Sequence, residues 1–210
     1  MSLKQKVIAI DGPSASGKGT VASRVAEALG FLYLDSGALY RLTALYAQKQ
    51  NVAWTDEDAV STLAETLPAQ FEGNVVLLNG EDVSEQIRTE AIGMGASAVA
   101  QLPKVRTALL QRQRDFLTEK GLVADGRDIG SVIFPDAALK IFLTASANVR
   151  AQRRAKQLGI PCEGVAFERI LSDIEARDEA DRRRPVAPLK QLPDALLLDT
   201  DNLSIEEAVK

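Results

Sequence analysis

A glycine-rich segment near the start of the chain has the residue types and spacing of a phosphate-binding loop. The segment reads Gly12-Pro13-Ser14-Ala15-Ser16-Gly17-Lys18-Gly19-Thr20 and matches the first seven positions of the Walker A pattern. In such a loop, backbone N–H groups surround the phosphate oxygens and the following helix adds its partial positive charge, while the lysine reaches the β- and γ-phosphates. The sequence therefore predicts that these nine residues bind a nucleoside triphosphate.

The residue after the lysine departs from the Walker A pattern. Gly19 stands where serine or threonine is usual, and Thr20 lies one position later. The hydroxyl at the usual position binds the Mg²⁺ ion that accompanies the nucleotide. The sequence therefore does not indicate which protein residue, if any, binds the metal. The nucleotide phosphates and water could hold Mg²⁺ in place of a hydroxyl at position 19.

Arginine residues gather late in the chain, where they could bind further phosphate groups. Residues 150–184 contain eight arginines and one lysine against seven acidic residues. The run at residues 177–184 offers planar guanidinium groups, which bind phosphate through two parallel hydrogen bonds. The same run also suits a solvated helix face with ion pairs. Its occurrence beside a phosphate loop favours phosphate binding.

Two other sets of polar residues follow predicted strands. Ser36 comes directly after one strand, with Arg41 five residues later, and Arg127 and Asp128 follow another strand. Ligands of open α/β sheets bind at the carboxyl ends of the strands. These side chains are therefore candidates for binding a phosphoryl acceptor.

The residues are compatible with three functions. An alcohol acceptor, such as a sugar acid, needs a base, for which Asp35, Asp125 and Asp128 are candidates. A phosphate monoester has a second pKa of about 6, so it is already an anion and needs only to be held by arginines. A nucleotide-dependent switch would phosphorylate no acceptor and would leave the arginines unexplained. The absence of histidine excludes Ser-His and Cys-His dyads.

Composition and charge indicate a cytoplasmic protein. The chain has 210 residues, of which 46% are apolar, and this length can form a core without disulfides or a structural metal. The single cysteine, Cys162, cannot form an intramolecular disulfide, and the longest apolar runs are only as long as strands. The net charge of −4 argues against nonspecific nucleic-acid binding. We therefore expect a monomer with no membrane or nucleic-acid partner.

Hydrophobic patterning predicts an α/β fold whose core is a P-loop domain with a five-stranded parallel sheet covered on both faces. Ser36 is predicted to cap the helix that follows the second strand. The predicted strands are residues 6–11, 31–35, 122–125, 139–144 and 195–199. A short helix capped at Ser204 would be marginal at its length, which favours a natural chain that continues past Lys210.

The stretch at residues 51–103 breaks the alternation of strands and helices. Residues 75–83 form two predicted strands joined at Asn79-Gly80, a sequence typical of a type I′ hairpin. We therefore predict a single domain with three parts. They are a core at about 1–50, 104–150 and 185–210, an insert with a small antiparallel ribbon at about 51–103, and a helical lid at about 150–184.

The chain resembles the bacterial-type cytidylate kinases, a family of nucleoside monophosphate kinases. The motifs that carry the resemblance extend from one end of the chain to the other. They are residues 10–20, residues 34–41 (Leu-Asp-Ser-Gly-Ala-Leu-Tyr-Arg), residues 124–130 (Ala-Asp-Gly-Arg-Asp-Ile-Gly) and residues 177–184. The resemblance implies transfer of the γ-phosphoryl group of ATP to CMP or dCMP with Mg²⁺, and it implies that the insert binds the monophosphate. The Gly-Lys-Gly-Thr form of the loop is also typical of this kinase superfamily.

The resemblance also implies roles for individual residues. Lys18, Arg127, Arg177 and Arg184 would act in catalysis, and Arg153 would lie against the adenine of ATP. Ser36, Arg41, Arg127 and Arg184 would bind the CMP phosphate. Ser97, Arg106 and Asp128 would contact the cytosine edge, and Arg177 and Asp181 would contact the pentose. Cytosine presents an amino donor beside acceptors, so paired polar groups would reject uracil.

Overall fold

The main sheet is assembled from five short apolar strands. The computed structural model describes residues 6–73 and 75–210. The strands of this sheet are β1 (Val7–Asp11), β2 (Leu32–Asp35), β6 (Leu122–Gly126), β7 (Leu139–Thr144) and β8 (Leu196–Asp199). They lie in the order β2-β6-β1-β7-β8, and β1 pairs in parallel with β6 and β7, as β7 does with β8. The predicted five-stranded parallel sheet is confirmed.

Eight helices connect or follow the strands in the described part of the chain. They are α1 (Lys18–Leu29), α2 (Ser36–Lys49), α3 (Glu57–Glu65), α4 (Glu90–Val99), α5 (Pro103–Arg114), α6 (Ala147–Leu158), α7 (Val165–Arg183) and α8 (Ile205–Val209). A 3-10 turn (Gln86–Arg88) precedes α4, and a one-turn π-helix (Ile129–Ile133) follows β6.

The chain forms two compact units. Of the described residues, the first unit comprises 6–34 and 116–210, and the second comprises 35–73 and 75–115. In the first unit, Val21 and Ala22 of α1 pack against Ile10, Val123 and Leu143 of the sheet in a buried apolar cluster. This packing fixes α1, and with it the loop that connects β1 to α1. The division into core, insert and lid stays a prediction.

The first unit also holds the helical pair that carries the arginine-rich run. Ala151 and Ala155 of α6 pack against Phe167 and Ile174 of α7 in a second buried cluster. Gly159 ends α6 in the left-handed conformation that glycine adopts without a steric cost. The apolar contact between the two helices holds the arginines of α7 at fixed positions in the unit.

The second unit contains helices and a small antiparallel sheet. In this sheet β4 (Val75–Leu78) pairs with β5 (Glu81–Asp82), and both Asn79 and Gly80 have positive φ angles, as a type I′ turn requires. The predicted ribbon is confirmed, but it has a third strand, β3 (Ala69–Glu72), that the sequence did not predict. β3 (Ala-Gln-Phe-Glu) is only four residues long, three of them exposed, and it contains no β-branched residue, so its strand signal is weak.

Tight helix packing in the second unit explains the small residues of α4. A Cβ atom added to Gly95 would lie 2.5 Å from the ring of Trp54, so only glycine fits against this ring. The Trp54 indole N–H donates to the carbonyl of Ala44 at 2.9 Å. The Gly-rich stretch of α4 therefore serves packing, at least at Gly95.

Candidate active site

The loop between β1 and α1 has the backbone geometry of an anion cradle. Ala15 and Gly17 adopt positive φ angles of 56° and 88°. Gly12 needs to be glycine, because an added Cβ would lie 2.0 Å from the carbonyl oxygen of Leu143. The hydroxyls of Ser14 and Ser16 are buried and have no hydrogen-bond partner among the described residues. Buried polar atoms of this kind are usually satisfied by a ligand or water.

Lys18 opens α1 and lies over this loop. Its side chain is buried, and its Nζ atom lies 3.3 Å from the carbonyl oxygen of Pro13. The Cβ of a residue at Gly19 would lie 3.4 Å from the hydroxyl of Tyr33 and 4.0 Å from the carboxylate of Asp125. Tyr33 donates to that carboxylate at 2.7 Å. Lys18 and Asp125 thus place opposite charges beside the start of α1.

Three residues predicted to bind substrate form one cluster in the first unit. The Nε atom of Arg127 donates to Asp181 Oδ2 at 2.7 Å, and Arg184 Nη1 lies 3.9 Å from Asp181 Oδ1. Burial disfavours the charged guanidinium of Arg127, but the ion pair and hydrogen bond with Asp181, together with the charges of Asp125 and Asp178, outweigh burial and raise the pKa of Arg127 above its usual value. Arg127 therefore stays cationic in this cluster.

Asp128 and Arg177 lie in the same unit. Asp128 is buried directly after Arg127, and Arg177 is half-buried on α7, one turn before Asp181. The first unit thus contains all the residues predicted for catalysis and for the pentose. It also contains one of the three predicted to contact cytosine.

Asp11 is a functional candidate that the sequence did not reveal. Its carboxylate accepts hydrogen bonds from the backbone N–H groups of Ile129 and Gly130, each at 2.8 Å. These bonds anchor the turn that directly follows Arg127 and Asp128, so Asp11 holds both residues in place. Burial raises the pKa of Asp11 to about 6, although the two backbone hydrogen bonds oppose this shift.

The raised pKa of Asp11 predicts a pH-dependent stability. The folded protein binds the Asp11 proton more tightly than the unfolded chain, so this residue's contribution to the free energy of unfolding should fall as pH rises from about 4 to about 6. A shift from 3.8 to about 6 corresponds to about 3 kcal/mol at most. Urea unfolding between pH 4 and 7 should show the wild type losing stability relative to Asp11→Asn. A difference between the two proteins that does not change with pH would contradict the prediction.

The second unit holds the remaining predicted acceptor residues. Ser36 does not cap α2 as predicted, because Asp35 is the N-cap and accepts from the N–H of Ala38 at 3.0 Å. The buried Ser36 hydroxyl instead donates to Gln113 Oε1 at 2.6 Å. Arg41 lies on the same helix, half-buried.

Ser97 lies on α4 and Arg106 on α5, two consecutive helices of the second unit. The buried Arg106 guanidinium lies 5.3 Å from the centre of the Tyr40 ring and donates to the carbonyl of Ala100 at 3.1 Å. The Ser97 hydroxyl donates to the carbonyl of Gly93 within its own helix at 3.1 Å. Arg106 is therefore held in place by a cation–π contact, whereas Ser97 is in a local helical bond.

Arg153 lines a cavity of about 240 Å³ beside the phosphate loop. Its guanidinium donates to the carbonyl of Ser16 at 3.3 Å and to the hydroxyl of Thr200 at 3.0 Å. The cavity is otherwise walled mainly by apolar residues of α1, of α8 and of the segment before α8, including Val21, Leu203, Ile205 and Ala208. A flat aromatic group with polar edges would suit this lining.

Arg150 and Asp178 form a buried ion pair that the sequence did not reveal. Arg150 lies on α6 and Asp178 on α7, and each is 3% exposed. Both sit within a stretch of mixed charges that reads like a solvated helix surface. The sequence feature that distinguishes Arg150 is its place in the first turn of a helix that begins shortly after the apolar strand β7.

Comparisons with known proteins agree over nearly the whole chain. A family model described as cytidylate kinase matches residues 8–210. A cytidylate kinase of Neisseria meningitidis serogroup C is 80% identical over 207 residues, which cover 99% of this chain and 95% of that protein. A cytidylate kinase of Chromobacterium violaceum is 60% identical over 203 residues, covering 97% and 91% of the two chains.

Among solved structures, an uncharacterized protein from Eubacterium ventriosum has a similar fold. The two match with a TM-score of 0.51 at 11% sequence identity, over 98% of this chain and 94% of the other. This similarity supports the fold and carries no information about the reaction.

Proposed function

The chain belongs to the cytidylate kinase family, and we propose that it transfers the γ-phosphoryl group of ATP to CMP or dCMP, giving ADP and CDP or dCDP. One observation carries this proposal. The family match spans residues 8–210, and this range includes both the phosphate loop and the cluster of Arg127, Asp181 and Arg184. An enzyme that phosphorylates a phosphate needs a binding site for each of two anionic groups.

The chemistry of the residues fits a phosphate acceptor better than an alcohol. In phosphoryl transfer, catalysis comes mainly from positioning and from neutralising charge on the transferred group. Arg127 is half-buried and Arg184 is buried, and both guanidinium groups lie beside Asp181, which suits them to hold an anionic acceptor. The acceptor phosphate is already ionised near neutral pH, so the reaction needs no general base.

The donor site that we propose lies along the phosphate loop. The backbone of residues 12–20 would bind the ATP phosphates, and Lys18 would neutralise charge on the transferred group. The unpartnered hydroxyls of Ser14 and Ser16 support this assignment. The cavity beside Arg153 would receive the adenine.

The acceptor residues that we propose are those that the family's motifs imply. Ser36, Arg41, Arg127 and Arg184 would bind the CMP phosphate. Ser97, Arg106 and Asp128 would contact the cytosine edge. Arg177 and Asp181 would contact the pentose. Asp181 would then contact the pentose hydroxyls as well as the guanidinium groups of Arg127 and Arg184.

We also propose that Mg²⁺ accompanies ATP. Among residues 6–73 and 75–210 no group of three acidic or cysteine side chains could hold a metal ion alone. Mg²⁺ is commonly held by one or two carboxylates, by water and by the substrate phosphates, and Asp125 beside Gly19 can supply one carboxylate. When bound, Mg²⁺ would neutralise charge on the ATP phosphates.

Location and assembly are also part of the proposal. The described residues form no helix that could cross a membrane. A single cysteine and a net charge of −4 favour a cytoplasmic monomer without a nucleic-acid partner.

An acceptor screen tests this proposal. ADP release should be measured with ATP, Mg²⁺ and, separately, CMP, dCMP, UMP, AMP or no acceptor. We expect rapid release with CMP and dCMP, much slower release with UMP and AMP, and almost none without an acceptor. A metabolite kinase would show no response to CMP, and a switch protein would show slow release that no acceptor accelerates.

A further inference from the structure

Two carbonyl groups of the phosphate loop accept hydrogen bonds from two arginines of α6. Arg150 Nη1 donates to the carbonyl of Ser14 at 2.9 Å, and Arg153 Nη1 donates to that of Ser16 at 3.3 Å. The two arginines are three residues apart, so they lie on the same face of their helix. Two alternate peptide groups of the loop therefore have their orientation fixed by one helix.

Holding a carbonyl also fixes the N–H group of the same peptide. In a planar trans peptide the C=O and N–H bonds point in opposite directions. The Arg150 bond therefore sets the direction of the Ala15 N–H, which then points away from Arg150. Ala15 has a φ of 56°, a left-handed conformation that residues other than glycine adopt at a cost and keep only when their surroundings impose it.

Arg150 itself is fixed by its other hydrogen bonds. Its Nε atom donates to the carbonyl of Ala145 at 2.9 Å, and its two terminal nitrogens form a bidentate ion pair with Asp178, with a Nη1–Oδ1 distance of 3.1 Å. All five N–H groups of a guanidinium lie in one rigid plane. The position of the Ser14 peptide is thus set by a rigid group anchored at Ala145, directly after β7, and at Asp178 on α7.

We propose that Arg150 is a positioning residue that preorganises the phosphate loop for the phosphates of ATP, with Asp178 as its anchor. This inference rests on the proposed binding of ATP in the loop. An N–H group whose direction is already fixed needs no reordering when it binds a phosphate, so the interaction is gained without that cost. Neither residue touches a reacting atom in this account.

The experiment uses a variant that removes the ion pair without leaving one buried charge. Loss of a single partner from a buried pair is strongly destabilising, whereas replacing both partners is often tolerated. We therefore choose the double variant Arg150→Met/Asp178→Asn and measure the Kd for the β,γ-imido analogue of ATP and the Kd for CMP by calorimetry. Thermal unfolding confirms that the variant is folded.

We expect the double variant to bind the ATP analogue about tenfold more weakly, which corresponds to about 1.4 kcal/mol, and to bind CMP as the wild type does. The single variant Asp178→Asn keeps the hydrogen bond from Arg150 to Ser14. It should raise the Kd for the ATP analogue less than threefold. Arg112→Met is the matched control, because Arg112 also donates to two backbone carbonyls but lies in the second unit. It should leave the Kd for the analogue unchanged.

A second variant keeps the test decisive if the double variant does not fold. Arg150→Lys retains a cation opposite Asp178. Because lysine lacks the several planar donors of a guanidinium, it cannot bond to Ser14 at the same time, so the Kd for the ATP analogue should rise three- to fivefold. A folded variant at Arg150 that binds the analogue within twofold of the wild type would overturn the proposal. Equal losses for the analogue and CMP would also overturn it. If Lys18→Ala leaves the Kd for the ATP analogue unchanged, the result contradicts the proposed binding of ATP in the loop, which is a separate claim from the role of Arg150.

Discussion

Replacing Lys18 with alanine should lower kcat for CMP phosphorylation by about 10²–10³-fold, the usual effect of removing a group that stabilises charge in the transition state. The side chain is buried over the loop, with Nζ 3.3 Å from the carbonyl of Pro13, so the ammonium group is held where the ATP phosphates are proposed to bind. Steady-state assays with saturating ATP and CMP measure this effect.

The fold should survive the Lys18 substitution, because α1 is held by apolar contacts of Val21 and Ala22 with the sheet. Circular dichroism and thermal unfolding check this. Lys49→Ala is the control, since Lys49 is an exposed lysine that pairs with Glu81 in the second unit. A Lys18→Ala enzyme that keeps near-normal kcat would refute the role of this lysine.

Arg184→Lys should lower kcat by about a hundredfold even though it conserves the charge. The guanidinium of Arg184 is 5% exposed and shares Asp181 with Arg127, so its planar donors are fixed in position. Lysine offers a single ammonium group and cannot hold phosphate through two parallel hydrogen bonds. Arg127→Lys should be costly for the same reason.

The adjacent residue supplies a matched control for Arg184→Lys. Arg183 lies next to it in the same run, but its side chain is 80% exposed and pairs with Glu179 on its own helix. Arg183→Lys should therefore leave kcat and KM within about twofold, as surface ion pairs contribute little. Equal effects of the two substitutions would contradict the proposed role of Arg184, because an exposed arginine of the same run would then be equally sensitive to loss of its guanidinium.

Local patterns in the sequence were sufficient to predict the sheet and the phosphate loop. The apolar run before Gly12 predicts a buried strand, and Asn79-Gly80 predicts a type I′ hairpin turn. The structure has both features. The third strand of the small sheet could not be found in this way, because Ala69–Glu72 is mostly exposed and owes its conformation to pairing with β4.

Side-chain partners that are distant in sequence could not be predicted. Ser36 follows a strand and looks like a helix cap, yet Asp35 takes that role and Ser36 bonds to Gln113, 77 positions away. Asp11 bonds to Ile129 and Gly130 across more than a hundred positions, and only the parallel pairing of β1 with β6 brings these groups together. Arg150 looks like a solvated charge until its helix is packed against the loop.

The fate of the γ-phosphoryl group tests the central claim most directly. The enzyme should be incubated with Mg²⁺, CMP and ATP labelled in its γ-phosphate, and the labelled products should be separated during the first turnovers. If the phosphate loop and the arginine cluster hold two nucleotides for direct transfer, the label will appear in CDP and in little else. Label that appears as inorganic phosphate, at a rate that CMP does not change, would contradict the account.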